Sequence, residues 1–170
     1  MNKIEIGSND NDRQEGFLQV DLYGKIDLRA DIRTLPFRHS LDNIFASHVL
    51  EHLPDADVVL ALKSCRTALR PGGRLELYVP DLPWILRRFL KAKSHGERWA
   101  LWNRFIYGSQ ENAGQYHRTG FSVKRLADCL IAAGFRQVKT RRTKRKDRGV
   151  WFGPAEARTP LMEVHAIAIA

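Results

Sequence analysis

The chain lacks an apolar run long enough to cross a bilayer, and its polar N-terminus does not resemble a secretion signal. It has only two cysteines, Cys65 and Cys129, both among apolar neighbours in stretches predicted to be helical. Their spacing supports neither a disulfide nor a metal pair, so we interpret them as reduced core thiols. The sequence therefore predicts a cytoplasmic protein with a single domain over residues 1–170.

A glycine-rich phosphate loop is also missing. A single glycine, Gly7, directly follows the first apolar stretch, Lys3–Ile6. A G-x-G-x-x-G loop and the N-terminus of a following helix normally hold a pyrophosphate, and neither is present here. This absence argues against a dinucleotide and favours an adenosine ligand without phosphates, for which S-adenosylmethionine (SAM) is the obvious candidate.

Positive charge is abundant, with a formal net charge of +9. Much of it lies in residues 139–148, where seven basic residues run from Lys139 to Arg148 with one Asp among them. Such a segment attracts RNA or an anionic membrane surface. It is equally consistent with a solvated hairpin tip, so the sequence leaves both interpretations open.

Apolar periodicity predicts alternating strands and helices. Strands are expected at residues 3–6, 17–22, 26–28, 43–46 and 74–80, from Phe135 onwards, and at 161–170. Helices are expected at residues 54–69, 83–93, 96–107 and 122–134. The first of these should end at the Arg-Pro-Gly-Gly of residues 70–73, and the last should begin at Ser122 as N-cap and stop at Gly134.

This order of elements predicts an α/β fold, a Rossmann-like three-layer sandwich with a mostly parallel sheet. The last strand is expected to pair antiparallel with its predecessor through the basic segment. About ten residues separate the first two strands, fewer than a crossover helix usually needs. The first crossover is therefore predicted to be shortened, which leaves the cofactor side more open.

Polar groups follow four predicted strands, and the carboxyl ends of parallel strands are where such sheets bind ligands. Gly7, which precedes Ser8 and Asn9, allows a ligand to approach the backbone closely. Asp21, beside Leu22, can accept two hydrogen bonds from a ribose diol. Asp31 can hold an adenine amino group while Ile32 and Leu35 sandwich the ring; alternatively, it caps the turn before Pro36. Ser47 and His48 follow the fourth strand.

The ordered set "IEIGS", "FLQVDL", "ADIRTLPF", "FASHVLEHL" and "ALRPGGRLELYVPDL" resembles the class I SAM-dependent methyltransferases, and is most similar to the small type 11 predicted methyltransferases. The resemblance covers nearly the whole chain. It implies that Gly7 and its neighbours contact the methionine part of SAM, that Asp21 binds the ribose, and that Asp31 and Ile32 lie at the adenine. It also places Ser47 and His48 beside the sulfonium. The second glycine usual in this loop is replaced by Asn9, which tolerates left-handed conformations.

Residues 108–122 are the best candidate for the acceptor site, because this polar loop lies between two predicted helices and carries His117. A hydroxyl acceptor benefits from a base that titrates near neutrality. We therefore predict His117 as the first candidate for a catalytic base, His48 as the second and Asp81 as the third. The expected acceptor is a small molecule or a glycan-linked group.

Two alternative functions stay open at this stage. An RNA methyltransferase would use the basic segment 139–148, and a non-catalytic SAM-binding module could act as partner of another enzyme. An oligomer is also possible. Finally, His48, Glu51 and His52 form an H-x-x-E-H pattern like that of inverzincins, but the flanking sequence fits the methyltransferase pattern better, so no metal is predicted.

Overall fold

The computed structural model describes residues 2–7, 13–145, 151–152 and 159–170. Its strands are β1 (Lys3–Ile6), β2 (Leu18–Asp21), β3 (Leu28–Arg29), β4 (Leu41–Ser47), β5 (Leu69–Pro80), β6 (Arg136–Thr143), β7 (Trp151–Phe152), β8 (Thr159–Pro160) and β9 (Glu163–Ile169). Seven of them form one sheet in the order β3-β2-β1-β4-β5-β9-β6, while β7 and β8 pair separately. β1 to β5 run parallel, and β9 lies antiparallel between β5 and β6. The predicted mixed α/β sheet with antiparallel C-terminal strands is confirmed.

The helices are α1 (Val58–Ala68), α2 (Leu82–Lys91), α3 (His95–Ala100) and α4 (Val123–Ala132). Short 3₁₀ turns cover Ile32–Thr34, Leu50–His52 and Asp55–Asp57. The helical stretch predicted at 96–107 is confirmed, and its second half, Leu101–Ile106, continues α3 as a π-helix. π-Helical turns are rare in proteins as a whole, but those that occur often lie at functional sites. This one contributes residues to the cavity described below.

α4 illustrates how local sequence sets an element. The Ser122 hydroxyl caps the helix by accepting a hydrogen bond from the backbone N–H of Arg125 at 3.2 Å. Leu126 and Leu130 are fully buried on its inner face. The helix stops before Gly134, whose φ of +89° suits glycine. The predicted cap, face and stop are confirmed.

The end of α1 differs from the prediction. The helix ends at Ala68, and Leu69 is already the first residue of β5 and pairs with Leu41. The Pro-Gly-Gly sequence therefore lies inside β5 and not in a turn that follows the helix. Gly73 fits there because a Cβ would lie 2.9 Å from the carbonyl oxygen of Arg70.

The main core lies between α1, α4 and the sheet. Leu75, Leu77 and Val79 alternate along β5 and point into it, together with α1 and α4 residues such as Leu62 and Leu130. A second, smaller core forms around Ile85, Leu101 and Phe105 under α2 and the π-helix. Among the described residues, none of the helices has the length and apolar character that crossing a membrane requires.

The connection between β1 and β2 was predicted to be too short for a crossover helix, and its described residues agree with this. β1 and β2 are parallel neighbours, and Gly7 and residues 13–17 between them form no helix. Because the strands run parallel, Gly7, Asp21, His48 and Asp81 all follow carboxyl ends at the same edge of the sheet. The fold thus positions the candidate site.

Candidate functional site

Gly7 forms a turn directly after β1 that only glycine fits well. Its φ is +78°, and its N–H donates to the carbonyl of Val20 at 3.2 Å. A Cβ here would lie 2.3 Å from Cγ2 of Val49. The positive φ and the packing against Val49 therefore both favour glycine at this position. Ser8 and Asn9, predicted to continue the loop, lie outside the described residues, and their roles stay predictions.

Asp21 ends β2 with one carboxylate oxygen engaged. Its Oδ1 accepts hydrogen bonds from the N–H groups of Leu22 at 2.5 Å and Tyr23 at 3.1 Å. Among the described residues, Oδ2 has no hydrogen-bond partner. The carboxylate is thus fixed in orientation with one oxygen available, as a ribose contact requires. Leu22 is half-exposed beside it.

Asp31 has its carboxylate fully engaged. It caps the 3₁₀ turn at 32–34 by accepting the N–H of Arg33 at 2.8 Å, and the Arg33 guanidinium binds both of its oxygens. The hydrogen bonds from Arg33 lower the pKa of Asp31. The turn-capping alternative is therefore present in the structure. Ile32 packs in the main core, so the adenine roles of Asp31 and Ile32 stay predictions.

His48 lies in a left-handed conformation, with φ of 57°, between two buried carboxylates. Its Nδ1 is 2.9 Å from Oε1 of Glu51, and its Nε2 is 2.6 Å from Oε1 of Glu163. Burial alone would lower the pKa of His48, but the hydrogen bonds to Glu163 and Glu51 outweigh it and raise the pKa to about 9. At neutral pH both ring N–H groups donate, and neither nitrogen has a free lone pair.

Arg145 completes this charged group. It donates to both oxygens of Glu163, at 2.6 and 2.9 Å, and to the hydroxyl of Ser47 at 2.8 Å. Its guanidinium lies 3.8 Å from the ring centroid of Tyr78. The side chain is only 14% exposed. Arg145 therefore belongs to the site, and interpreting it as a surface charge of the basic segment is wrong.

Asp81, which follows β5, is fully buried. Its Oδ2 accepts a hydrogen bond from Nε of Arg142 at 2.5 Å. Among the described residues, its Oδ1 has no partner. A second cation of the basic segment is thus engaged by a buried carboxylate.

A cavity of about 220 Å³ opens next to these residues. Its apolar wall includes Leu82, Ile85 and Phe105, and its polar wall includes Glu51 and His117. His117 Nδ1 donates to the carbonyl of Phe105 at 3.1 Å, which leaves the lone pair of the neutral ring on Nε2. Burial is the main cause that lowers the pKa of His117. The cavity therefore presents a neutral imidazole.

The loop at residues 108–122 connects this cavity to the edge of the sheet at which β2 ends. The N–H groups of Arg118 and Thr119 both donate to the carbonyl of Glu51, at 2.7 and 3.2 Å. At the other side, a Cβ on Gly114 would lie 2.7 Å from the ring of Tyr23, two residues after Asp21. The loop thus spans the edge of the sheet from β2 to the cavity.

Three important residues were not predicted: Glu51 as a buried anchor, Arg145 and Glu163. Glu163 is the single acidic residue in the mostly apolar stretch at 161–170, and it is fully buried. An isolated charge in an apolar strand is a signal that could have identified it, since a buried carboxylate requires partners.

Comparison with known proteins agrees with this geometry. Residues 8–77 match the family model Methyltransf_11, described as a methyltransferase domain. No curated protein sequence matches the chain significantly.

Solved structures share the fold. A SAM-dependent methyltransferase from Methanosarcina mazei is 16% identical with a TM-score of 0.66, covering 99% of this chain and 91% of its own. A possible histamine N-methyltransferase from Thermotoga maritima is 17% identical with a TM-score of 0.62, covering 99% and 81%. The 1,6-didemethyltoxoflavin-N1-methyltransferase of Burkholderia thailandensis, solved with S-adenosylhomocysteine, is 18% identical with a TM-score of 0.61, covering 98% and 70%.

Proposed function

We propose that this chain, a SAM-dependent methyltransferase with a Methyltransf_11 domain, transfers the methyl group to a hydroxyl of a small-molecule or glycan-linked acceptor. The observation that carries the proposal is the cavity beside the strand ends, whose polar wall presents the Nε2 lone pair of His117. A hydroxyl acceptor needs such a group to receive its proton.

The residues at the strand ends fit SAM as the cosubstrate. SAM supplies a methyl group activated by its sulfonium, so the protein mainly has to bind and orient the two reactants. Gly7 allows the turn after β1 to pack against Val49, where a Cβ would clash, and we propose that this turn contacts SAM. Asp21 has a fixed carboxylate with Oδ2 available for a ribose hydroxyl.

The cavity limits the size of the acceptor. At about 220 Å³ it is smaller than the roughly 300–1,000 Å³ of pockets that enclose drug-sized ligands. It therefore admits a small molecule or the terminal unit of a larger glycan. Its apolar wall suits a ring face or an aliphatic group, and Glu51 with His117 supplies the polar contacts.

His117 is the proposed base among the three candidates. His48 is a poor base because both of its nitrogens donate to carboxylates and its pKa is raised to about 9. Asp81 is engaged by Arg142. His48 instead orients the Glu51 carboxylate and is proposed as a positioning residue beside the methyl donor, together with Ser47.

The RNA alternative uses the basic segment 139–148. Two of its cations, Arg142 and Arg145, are engaged by buried Asp81 and Glu163. These two charges already pair with carboxylates of the protein, so the segment offers RNA less than its composition suggests. We therefore propose no second function.

The test is methyl transfer with untagged protein. Labelled-methyl SAM is incubated with small-molecule, glycan and RNA fractions, and binding of S-adenosylhomocysteine is measured by calorimetry. We expect label in the small-molecule or glycan fraction. His117→Asn should lower the transfer rate roughly 100-fold or more while S-adenosylhomocysteine still binds. His95→Asn, at an exposed histidine on α3, is the matched control. Label in RNA alone, or a wild-type rate for His117→Asn, would contradict the proposal.

A further inference from the structure

Glu51, His52 and His117 converge in space although the sequence separates them. Each offers one potential ligand atom, and these atoms all lie within 4.8 Å of one another. The two imidazole rings meet edge to face with centroids 4.9 Å apart. The H-x-x-E-H pattern pointed to His48 with His52, but the structure bonds His48 to carboxylates and brings in His117 instead.

Both histidine rings are held in the same tautomer. Nδ1 of His52 donates to the carbonyl of Tyr116 at 3.2 Å, and Nδ1 of His117 donates to that of Phe105 at 3.1 Å. In a neutral ring whose Nδ1 donates, the lone pair lies on Nε2. Histidines that bind metals are oriented in the same way, by donating their second N–H to a backbone carbonyl or carboxylate.

Glu51 provides the independent observation. Its side chain is only 2% exposed, and its Oε1 is held by His48 at 2.9 Å. Among the described residues, its Oε2 has no hydrogen-bond partner. A buried carboxylate oxygen without a donor is costly. The Glu51 carboxylate lies within 4.8 Å of a ring nitrogen of each histidine. One carboxylate and two imidazoles that converge in this way could hold a metal cation between them.

We propose that Oε2 of Glu51 and Nε2 of His52 and His117 bind one divalent transition-metal ion, with zinc as the best fit. Two imidazoles and one carboxylate with an open fourth position form a common zinc ligand set. Magnesium and calcium prefer oxygen ligands only. In tetrahedral coordination, ligands at about 2.0–2.1 Å from the ion lie about 3.3 Å from one another. The ligand atoms lie within 4.8 Å of one another, so the widest pair has to close by up to about 1.5 Å.

Metal binding has a consequence for transfer that rests on the proposed function. Nε2 of His117 has one lone pair, which either receives the acceptor's proton or binds the ion. A bound zinc ion therefore blocks the proposed base, and zinc is an inhibitor of transfer. The binding site itself does not depend on this step.

Binding is tested first, on untagged protein freed of metal with a chelator. Calorimetry with Zn²⁺ should show one ion per chain, Co²⁺ should give the visible absorption of a bound ion, and Mg²⁺ should give no heat. Glu51→Gln and His52→Gln should each weaken zinc binding roughly tenfold or more. His95→Gln, which removes an exposed histidine on α3, is the control. Thermal unfolding confirms that each variant is folded.

The inhibition is tested with His52→Gln, which leaves His117 in place. Each variant's transfer rate with zinc is compared with its own rate after chelation. Wild type should be inhibited by stoichiometric zinc, and His52→Gln should need roughly tenfold more. Absence of zinc binding, or equal affinity in wild type, Glu51→Gln and His52→Gln, would overturn the site. Faster methyl transfer in the presence of zinc would contradict the proposal that zinc and the acceptor's proton compete for Nε2 of His117. S-adenosylhomocysteine binding is followed in parallel, so that failure of the cofactor site is detected separately.

Discussion

Nε2 of His48 lies 2.6 Å from Oε1 of Glu163, a residue 115 positions later in the chain. The first follows β4, and the second begins β9, which lies antiparallel between β5 and β6. β9, the last strand of the chain, thus also contributes a side chain to the candidate site. Two buried carboxylates, Glu51 and Glu163, are balanced by two cations, His48 and Arg145.

The first prediction concerns this balance. Glu163→Gln leaves His48 and Arg145 partly unpaired in a buried environment, and removal of one partner from a buried ion pair costs about 3–5 kcal/mol. We expect the free energy of unfolding in urea to fall by about 3 kcal/mol at pH 7. Asp128→Asn breaks an exposed pair with Lys124 and should cost at most about 0.5 kcal/mol. Similar small losses of unfolding free energy in both variants would show that Glu163 is not needed to balance the buried charges of His48 and Arg145.

The second prediction concerns Gly7. Gly7→Ala places a methyl group 2.3 Å from Val49 in a residue with φ of +78°. We expect S-adenosylhomocysteine to bind roughly tenfold or more weakly by calorimetry, a loss of about 1.4 kcal/mol or more. Gly72→Ala is the control, because Gly72 has φ of +79° but nothing within 4 Å of its Cβ position. Equal affinity for S-adenosylhomocysteine in both variants would show that the turn at Gly7 does not shape the cofactor site.

The sequence predicted those parts of the molecule that depend on local pattern. The cap, face and stop of α4 follow from Ser122, Leu126 and Gly134, and the structure confirms each. Gly7 and Asp21 were located as strand ends because alternating strands and helices imply a parallel sheet. Their placement needed only the order of the elements.

Contacts between distant residues could not be predicted in this way. Arg145 was assigned to a surface segment by its neighbours in sequence, but it binds Glu163 and Ser47 across the sheet. The H-x-x-E-H pattern contains Glu51 and His52, but its spacing cannot show that residues 108–122 bring His117 close to them. A pattern reports neighbours along the chain, and the site is built from neighbours in space.

The third prediction tests Asp21 as the ribose contact. Asp21→Asn keeps an oxygen that can accept from Leu22 and Tyr23 but removes the negative charge at Oδ2. Hydrogen bonds to a charged group contribute about 1.5–3 kcal/mol, so S-adenosylhomocysteine should bind roughly tenfold or more weakly. Calorimetry measures this loss of affinity. Thermal unfolding of the free protein checks that the turn at residues 21–23 is intact in the variant. Unchanged affinity would exclude Asp21 from the cofactor site.

The fourth prediction is a pH dependence of stability at Asp31. Its pKa is lowered mainly by the hydrogen bond from Arg33. A carboxyl with a lowered folded-state pKa stabilises the protein above its ordinary pKa of about 3.9, and this contribution is lost as pH falls. The stability difference between wild type and Asp31→Asn should therefore be largest near pH 7 and shrink by pH 3. Urea unfolding at pH 7, 5 and 3 measures it. If the stability difference between wild type and Asp31→Asn grew as the pH falls, the ion pair of Asp31 with Arg33 would not be the source of the stabilisation.

The last prediction separates structural from surface charge in the basic segment. Arg145 is 14% exposed and holds buried Glu163, whereas Lys144, its neighbour, is exposed. Arg145→Gln leaves Glu163 with His48 alone and should lower the free energy of unfolding by about 3 kcal/mol. Lys144→Gln should stay within about 0.5 kcal/mol of wild type, as surface substitutions do. Urea unfolding at neutral pH measures both. Two equally small changes would show that Arg145 contributes only surface charge, and the RNA hypothesis would regain that cation.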